Sequence, residues 1–177
     1  MKDKYSISQL INYLLLSISL IGMFLFVFAC EKNSENETNL TSQGELLNYN
    51  GCKTFEKNTE TERNYTCVEY NYVNNKLELK HINAGFNCCL EEITANITIS
   101  NDTITIKEIE KEALCNCLCL FDLDFKLENI SAKEYYIKFI EPYVTGEMDK
   151  LEFLVNFSDS SSGSFCLERN NYPWGIY

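Results

Sequence analysis

Apolar and polar residues alternate with a period of two from about residue 46 onward, and this pattern predicts β-strands. Successive side chains of a strand point to opposite faces, so alternation is typical of a strand with one face in a core. The predicted strands cover residues 65–72, 76–82, 93–99, 103–109, 114–128, 134–140, 151–157 and 164–167. Asn74-Asn75 and Ser100-Asn101-Asp102 predict hairpin turns between two pairs of them.

Seven or eight short strands and no amphipathic helix predict an all-β domain over residues 46–177. We expect an antiparallel β-sandwich with immunoglobulin-like or related topology. A small closed β-barrel is the alternative. The 15-residue apolar-rich run of residues 114–128 is long for one strand, which predicts a bulge or break near Asn116.

The first thirty residues follow a different pattern. Lys2 and Lys4 precede an apolar run over residues 10–28. A basic start and an apolar run that ends at a small residue describe a secretory signal. An uncleaved membrane-spanning helix is the alternative, because about 20 apolar residues can cross a bilayer.

The end of this run, Val27-Phe28-Ala29-Cys30, resembles the lipobox of bacterial lipoproteins. In that resemblance Val27 takes the aliphatic position, Ala29 the small position and Cys30 the lipidated position. It implies a signal peptide over residues 1–29 and a diacylglycerol on the Cys30 thiol. Two or more acyl chains would then anchor the protein stably to a membrane.

Residues 30–45 are polar and acidic, with almost nothing apolar to bury, and are predicted to be a disordered tether. The implied location is the bacterial cell envelope, lipid-anchored at the outer membrane and facing either the periplasm or the cell surface. The membrane is therefore the first expected partner.

The net charge of the chain limits the classes of molecule expected as further partners. Lys and Arg total 15 against 26 Asp and Glu, which gives a net charge of −11. Such a chain repels phosphate backbones, so no nucleic-acid partner is expected. The charge excludes neither a protein nor a glycan as a partner.

Eight cysteines follow Cys30, and outside the cytoplasm an even number of cysteines predicts disulfides. They are Cys52, Cys67, Cys88, Cys89, Cys115, Cys117, Cys119 and Cys166. Residues two apart on a strand are too far apart to bridge readily, so the three cysteines of 115–119 need partners elsewhere. The expected scheme joins the Cys88-Cys89 element to this run, whose three cysteines are predicted to line the core.

A soft-metal site is the alternative use of these cysteines, with Zn or Cu as the ion. Its expected ligands are Cys88, Cys115, Cys117, Cys119 and His81. The preferred prediction has no cofactor, with His81 as a core residue on the same strand face as Leu77 and Leu79.

A longer stretch resembles domains of bacterial lipoproteins that have no assigned activity. The resemblance covers about residues 65–140 and implies a fold and a location only. It rests on Leu77-x-Leu79-x-His81-x-Asn83, Phe86-Asn87-Cys88-Cys89, an Ile-rich hairpin ending near Glu108, and Cys115-x-Cys117-x-Cys119-x-Phe121-Asp122.

The sequence carries no nucleophile elbow, phosphate loop or zinc-protease motif, so the chain is not expected to be an enzyme. Arg169, Tyr172 and Trp174 could stack on a sugar or a protein partner, or Trp174 could cover one end of the sandwich. The expected role is structural or binding. A metal-binding or redox lipoprotein is the alternative, and an enzyme acting on envelope or extracellular substrates comes third.

Overall fold

The computed structural model describes residues 42–53, 64–113, 115–144 and 150–170. These residues contain nine strands and no helix. The strands are β1 (Gln43–Tyr49), β2 (Tyr65–Val73), β3 (Lys76–Asn87), β4 (Leu90–Ser100), β5 (Thr103–Ala113), β6 (Leu118–Glu128), β7 (Glu134–Ile140), β8 (Glu152–Asn156) and β9 (Ser162–Glu168). The predicted all-β class is confirmed, with one strand more than the eight expected.

The strands form two sheets, one in the order β1-β6-β3-β2-β9 and one in the order β4-β5-β7-β8. Apolar residues from both sheets meet in one core. The largest fully buried side chains are Phe86, Phe125, Leu77, Leu79, Ile104, Ile106, Leu120, Leu123, Leu127, Ile130, Ile137 and Leu151. The sandwich is therefore confirmed, and the barrel alternative is wrong because the two sheets do not close on each other within the described ranges.

One strand pair departs from the antiparallel arrangement that we expected. β5 and β7 are parallel, with Thr103 opposite Tyr136 and Lys107 opposite Ile140. The strand between them, β6, belongs to the other sheet, so the chain crosses the sandwich and returns beside β5 in the same direction. The second sheet is therefore mixed.

The predicted hairpin turns are confirmed. Asn74 and Asn75 have φ values of 52° and 62° and connect Val73 to its partner Lys76. Two residues of positive φ suit the right-handed twist of the flanking strands, and asparagine tolerates that conformation well. Asn101, with φ of 52°, begins the turn between β4 and β5.

The strand that the sequence did not predict is β1. It begins at Gln43, three residues before the expected start of the domain, and pairs with β6. A Cβ on Gly44 would lie 2.7 Å from Ile97 Cγ2, so glycine here permits a close approach to the second sheet. The signal segment, Cys30 and the tether as far as residue 41 lie outside the described residues. The described ranges contain no helix that could span a bilayer.

The predicted break near Asn116 is confirmed, because β6 begins only at Leu118. Cys119 is buried on the core face of the strand, as expected. Cys117 is exposed and Cys115 only half-buried, so the expectation that all three cysteines line the core is wrong for these two. Both residues come before β6 begins, so strand alternation does not direct their side chains into the core.

Candidate functional site

All eight cysteines of the described ranges are paired in disulfides. The pairs are Cys52–Cys119, Cys67–Cys166, Cys88–Cys117 and Cys89–Cys115. The last two join the Cys88-Cys89 turn to the residues before β6, which is the connection that strand spacing predicted. The domain is therefore stapled by disulfides at two separate places.

One staple lies on the face of the first sheet that points away from the core. Cys67 of β2 is directly opposite Cys166 of β9, with a Cα–Cα distance of 4.0 Å. Cys166 is exposed and Cys67 is half-buried. The bridge ties the edge strand β9 to its only neighbour among the described strands.

The other three bridges form one continuous group, called here the sulfur row. The sulfur atoms of Cys52, Cys88 and Cys119 lie within 4.8 Å of one another, and so do those of Cys89, Cys115 and Cys117. The Cys88–Cys117 bridge joins the two triads.

The metal-ligand set that the sequence suggested is not assembled. Its four cysteines are shared among three bridges of the sulfur row, and His81 belongs to neither sulfur triad. The ring of His81 instead bonds to oxygen atoms inside the sandwich. Strand alternation placed His81 on the core face correctly but could not show which groups it meets there.

Inside the sandwich lies a buried charge cluster formed by His81, Glu108, Glu141 and Arg169. His81 belongs to the first sheet and Glu108 to the second, while Glu141 follows β7 and Arg169 follows β9. His81 Nδ1 lies 2.6 Å from Glu108 Oε1, and Arg169 Nη2 donates to Glu141 Oε2. At most 1% of each of these side chains is exposed, so the cluster joins the sheets through hydrogen bonds between buried ionisable groups.

Both ring nitrogens of His81 face oxygen atoms. Nε2 lies 2.8 Å from Thr66 Oγ1, and this hydroxyl is also 3.3 Å from the Ile82 carbonyl oxygen. Nδ1 lies 2.6 Å from Glu108 Oε1, where a protonated Nδ1 donates to the carboxylate. Because a hydroxyl can donate or accept, these contacts suit both the neutral and the charged ring.

The carboxyl groups around His81 favour its charged form. Burial alone would lower the pKa of His81, but the charge and hydrogen bond of Glu108, together with the charge of Glu141, raise it above the usual value. Burial also raises the pKa of Glu141, against the opposing effects of His81 and Arg169. Both groups therefore hold protons more tightly in the folded domain than in the unfolded chain.

Stability should accordingly fall as the pH rises through neutrality. A raised folded-state pKa stabilises the fold fully below the unfolded value, near 6.5 for His81, and this contribution disappears as the pH passes the folded value. A tenfold difference in proton affinity between the folded and unfolded states corresponds to about 1.4 kcal/mol. Urea unfolding followed by circular dichroism is expected to give a larger free energy of unfolding at about pH 6 than at about pH 9.

A His81→Gln variant serves as the control for this prediction. It loses the ring that titrates, so the decline between the two pH values should be shallower than in the unmodified protein. The comparison concerns the slope, because the substitution also changes stability at every pH. An unchanged slope in the variant would show that His81 does not cause the dependence.

The ligand-stacking site that the sequence suggested near the C-terminus does not include Arg169. This side chain is buried and paired with Glu141, so it is not available to stack on a ligand. The reason is that the chain turns inward after β9, where the Arg169 backbone N–H also donates to Asn64 O at 2.6 Å. Tyr172 and Trp174 lie outside the described residues.

A shallow groove of about 470 Å³ crosses the first sheet. Leu47, 54% exposed, forms an apolar part of its wall. The polar part includes Lys80 and Asp124, whose charged atoms are 3.7 Å apart, and Asn71, which donates to Glu78 at 3.2 Å. These exposed polar groups can form hydrogen bonds with a ligand.

No protein-family model, no curated protein and no solved structure matches the chain.

Proposed function

We propose that this protein is a lipid-anchored domain of the bacterial cell envelope with a structural or binding role. Cys30 carries the lipid, residues 30–41 form the tether, and the disulfide-stapled sandwich stands clear of the membrane. The observation that carries the proposal is the pairing of eight cysteines in four disulfides. Disulfides persist in oxidising compartments and are rare in the cytosol.

The N-terminal pattern supports the lipid anchor independently. Val27, Ala29 and Cys30 stand where a lipobox has its aliphatic, small and lipidated residues. A thiol is the nucleophile that can take a diacylglycerol as a thioether, and several acyl chains give stable attachment. The polar residues that follow suit a solvated tether.

The groove supports the binding role. Carboxylate, ammonium and amide groups beside the exposed Leu47 suit a partner that has both polar and apolar surface, as a protein segment or a glycan does. The groove lies on the sheet face opposite the core, so a ligand could occupy it without opening the fold.

Replacing Cys30 by serine is expected to abolish lipid attachment, because a hydroxyl does not replace the thiol in this chemistry. The variant should either keep its full-length N-terminus or leave the membrane fraction. The measurement is membrane fractionation of the full chain, with intact mass determined for the purified protein. The unmodified protein should begin at Cys30 and carry added acyl mass.

The matched control is Ser34→Ala, a change in the tether that leaves the lipobox pattern intact. This variant should remain acylated and sediment with membranes like the unmodified protein. A Cys30→Ser protein that still loses residues 1–29 and still sediments with membranes contradicts the proposal. An unmodified protein that retains residues 1–29 supports an uncleaved membrane-spanning helix instead.

A further inference from the structure

The sulfur row packs six sulfur atoms so closely that neighbouring bridges are within reach of one another. Cys115 Sγ is 3.1 Å from Cys117 Sγ, although the two cysteines belong to different bridges. Cys88 Sγ lies within 4.8 Å of both sulfur atoms of the Cys52–Cys119 bridge. Each bridge therefore has a sulfur of the next bridge beside it.

Hydrogen bonds from the Asn87 side chain and the local backbone hold the triad of Cys89, Cys115 and Cys117 in place. Asn87 Nδ2 donates to the Cys115 carbonyl oxygen at 2.6 Å, and Asn87 Oδ1 accepts from the Cys89 backbone N–H at 2.8 Å. The Cys88 backbone N–H donates to the Cys117 carbonyl oxygen at 3.1 Å. Asn87 Oδ1 is also 3.3 Å from Cys115 Sγ, where it can accept a hydrogen bond from the thiol once the bridge is reduced.

The sulfur row is most accessible at the triad of Cys89, Cys115 and Cys117. Cys89 and Cys117 are exposed and Cys115 is half-buried, whereas in the other triad only Cys52 is exposed, Cys88 is half-buried and Cys119 is buried in the core. A thiol in solution can reach the Cys89–Cys115 bridge without any movement of the core. Access and the proximity of a thiolate to a disulfide sulfur are two requirements of thiol–disulfide exchange.

We propose that the sulfur row is a thiol–disulfide exchange site that accepts electrons from a dithiol at its exposed end and passes them inward. In the first step a thiolate of the dithiol attacks Cys89 Sγ and forms a mixed disulfide. The Cys89–Cys115 bond breaks, and Cys115 leaves as a thiolate.

The second step uses the close sulfur contact. The Cys115 thiolate attacks Cys117 Sγ, a Cys115–Cys117 disulfide forms, and the Cys88–Cys117 bond breaks to release the Cys88 thiolate. This thiolate then attacks the Cys52–Cys119 bridge at Cys52 and releases the Cys119 thiolate. Each step forms one S–S bond and breaks one.

The second thiol of the dithiol carries out the last step of the reaction. It attacks the dithiol's own sulfur in the mixed disulfide, the dithiol departs with an intramolecular disulfide, and Cys89 is released as a thiolate. The two protons of the dithiol end on Cys89 and Cys119. The dithiol is oxidised by two electrons, and the domain gains two thiols that were not bonded to each other at the start.

This activity goes beyond the proposed anchoring and binding role and requires only the oxidised domain and a dithiol. The test uses the full chain in detergent, treated with one equivalent of dithiothreitol. Samples are quenched with acid and alkylated at successive times, and peptide mapping identifies the free thiols and remaining bridges. We expect a Cys115–Cys117 bridge to appear, with free Cys89 accompanied by free Cys88 and later by free Cys119.

The Cys67–Cys166 bridge is the internal control, because it lies outside the sulfur row. Its cysteines should appear free only together, as a bonded pair does when a reagent reduces it directly. If every thiol of the sulfur row also appears only with its original partner, and no Cys115–Cys117 bridge forms, the proposal is overturned.

A Cys89→Ser/Cys115→Ser variant removes the exposed bridge. We expect the Cys115–Cys117 species to be lost and free Cys119 to appear more slowly than in the unmodified protein. Equal rates of Cys119 labelling in both proteins would contradict inward transfer. If this variant does not fold, the pairing map of the unmodified protein still decides the question, and neither outcome bears on lipid attachment at Cys30.

Discussion

Replacing Arg169 by methionine is expected to lower the free energy of unfolding by about 3–5 kcal/mol. The guanidinium is buried and donates to the Glu141 carboxylate, whose side chain is 1% exposed. Methionine keeps a long apolar side chain but removes the positive charge, so the carboxylate loses its closest cationic partner in a medium of low polarity. Urea unfolding of the full chain at neutral pH measures the effect.

Two comparison variants separate the buried charge from a general effect of losing an ion pair. Lys111→Met removes the exposed partner of Glu91, at 3.1 Å, and should cost less than about 1 kcal/mol. Arg169→Met combined with Glu141→Gln leaves no unpaired carboxylate at this place and should be less destabilised than Arg169→Met alone. A loss in Arg169→Met no larger than that in Lys111→Met would contradict a stabilising role for the buried pair.

The strands of this domain could be predicted from the sequence because half-buried strands alternate visibly. Residues 76–82 and 103–109 each place apolar side chains on one face, and each lies within an observed strand. The pattern does not determine the neighbours of a strand, so the parallel pairing of β5 with β7 was not predicted. It depends on β6 crossing to the other sheet.

β1 was not predicted because its sequence has no clear alternation. Leu46 and Leu47 are adjacent, and the register shifts between Leu46 and Asn48 in the pairing with β6. A shift of this kind places an extra residue in one strand and interrupts the period of two. Backbone pairing with β6 stabilises β1 more than its own pattern indicates.

Two of the four residues in the buried charge cluster, His81 and Glu108, lie within strands, on faces that the sequence pattern marks as apolar. Glu108 falls on the same strand face as Ile104 and Ile106, and a charged residue on an apolar face indicates a buried partner. Glu141 and Arg169 gave no such signal, since both lie just beyond strand ends, where period-two alternation stops. Only the folded chain shows that they meet His81 and Glu108.

The largest single loss among disulfide variants is expected when the Cys67–Cys166 bridge is removed by serine at both positions. The bridge closes a separation of 99 residues, the longest of the four. A closed loop of this length restricts the unfolded chain by an entropy equivalent to about 4–5 kcal/mol. Serine adds little further cost, because one cysteine is exposed and the other half-buried on the outer sheet face. Urea unfolding under non-reducing conditions measures the loss.

Glu69→Ala combined with Ser164→Ala is the matched control, because these exposed residues also lie opposite each other on β2 and β9. This pair has no covalent link, so the control should change the free energy of unfolding by less than about 0.5 kcal/mol. If the two double variants lose similar stability, the β2–β9 surface and not the bridge determines the effect. A serine variant within about 1 kcal/mol of the unmodified protein would mean that β9 needs no covalent attachment, because the loop-closure contribution alone is several times larger.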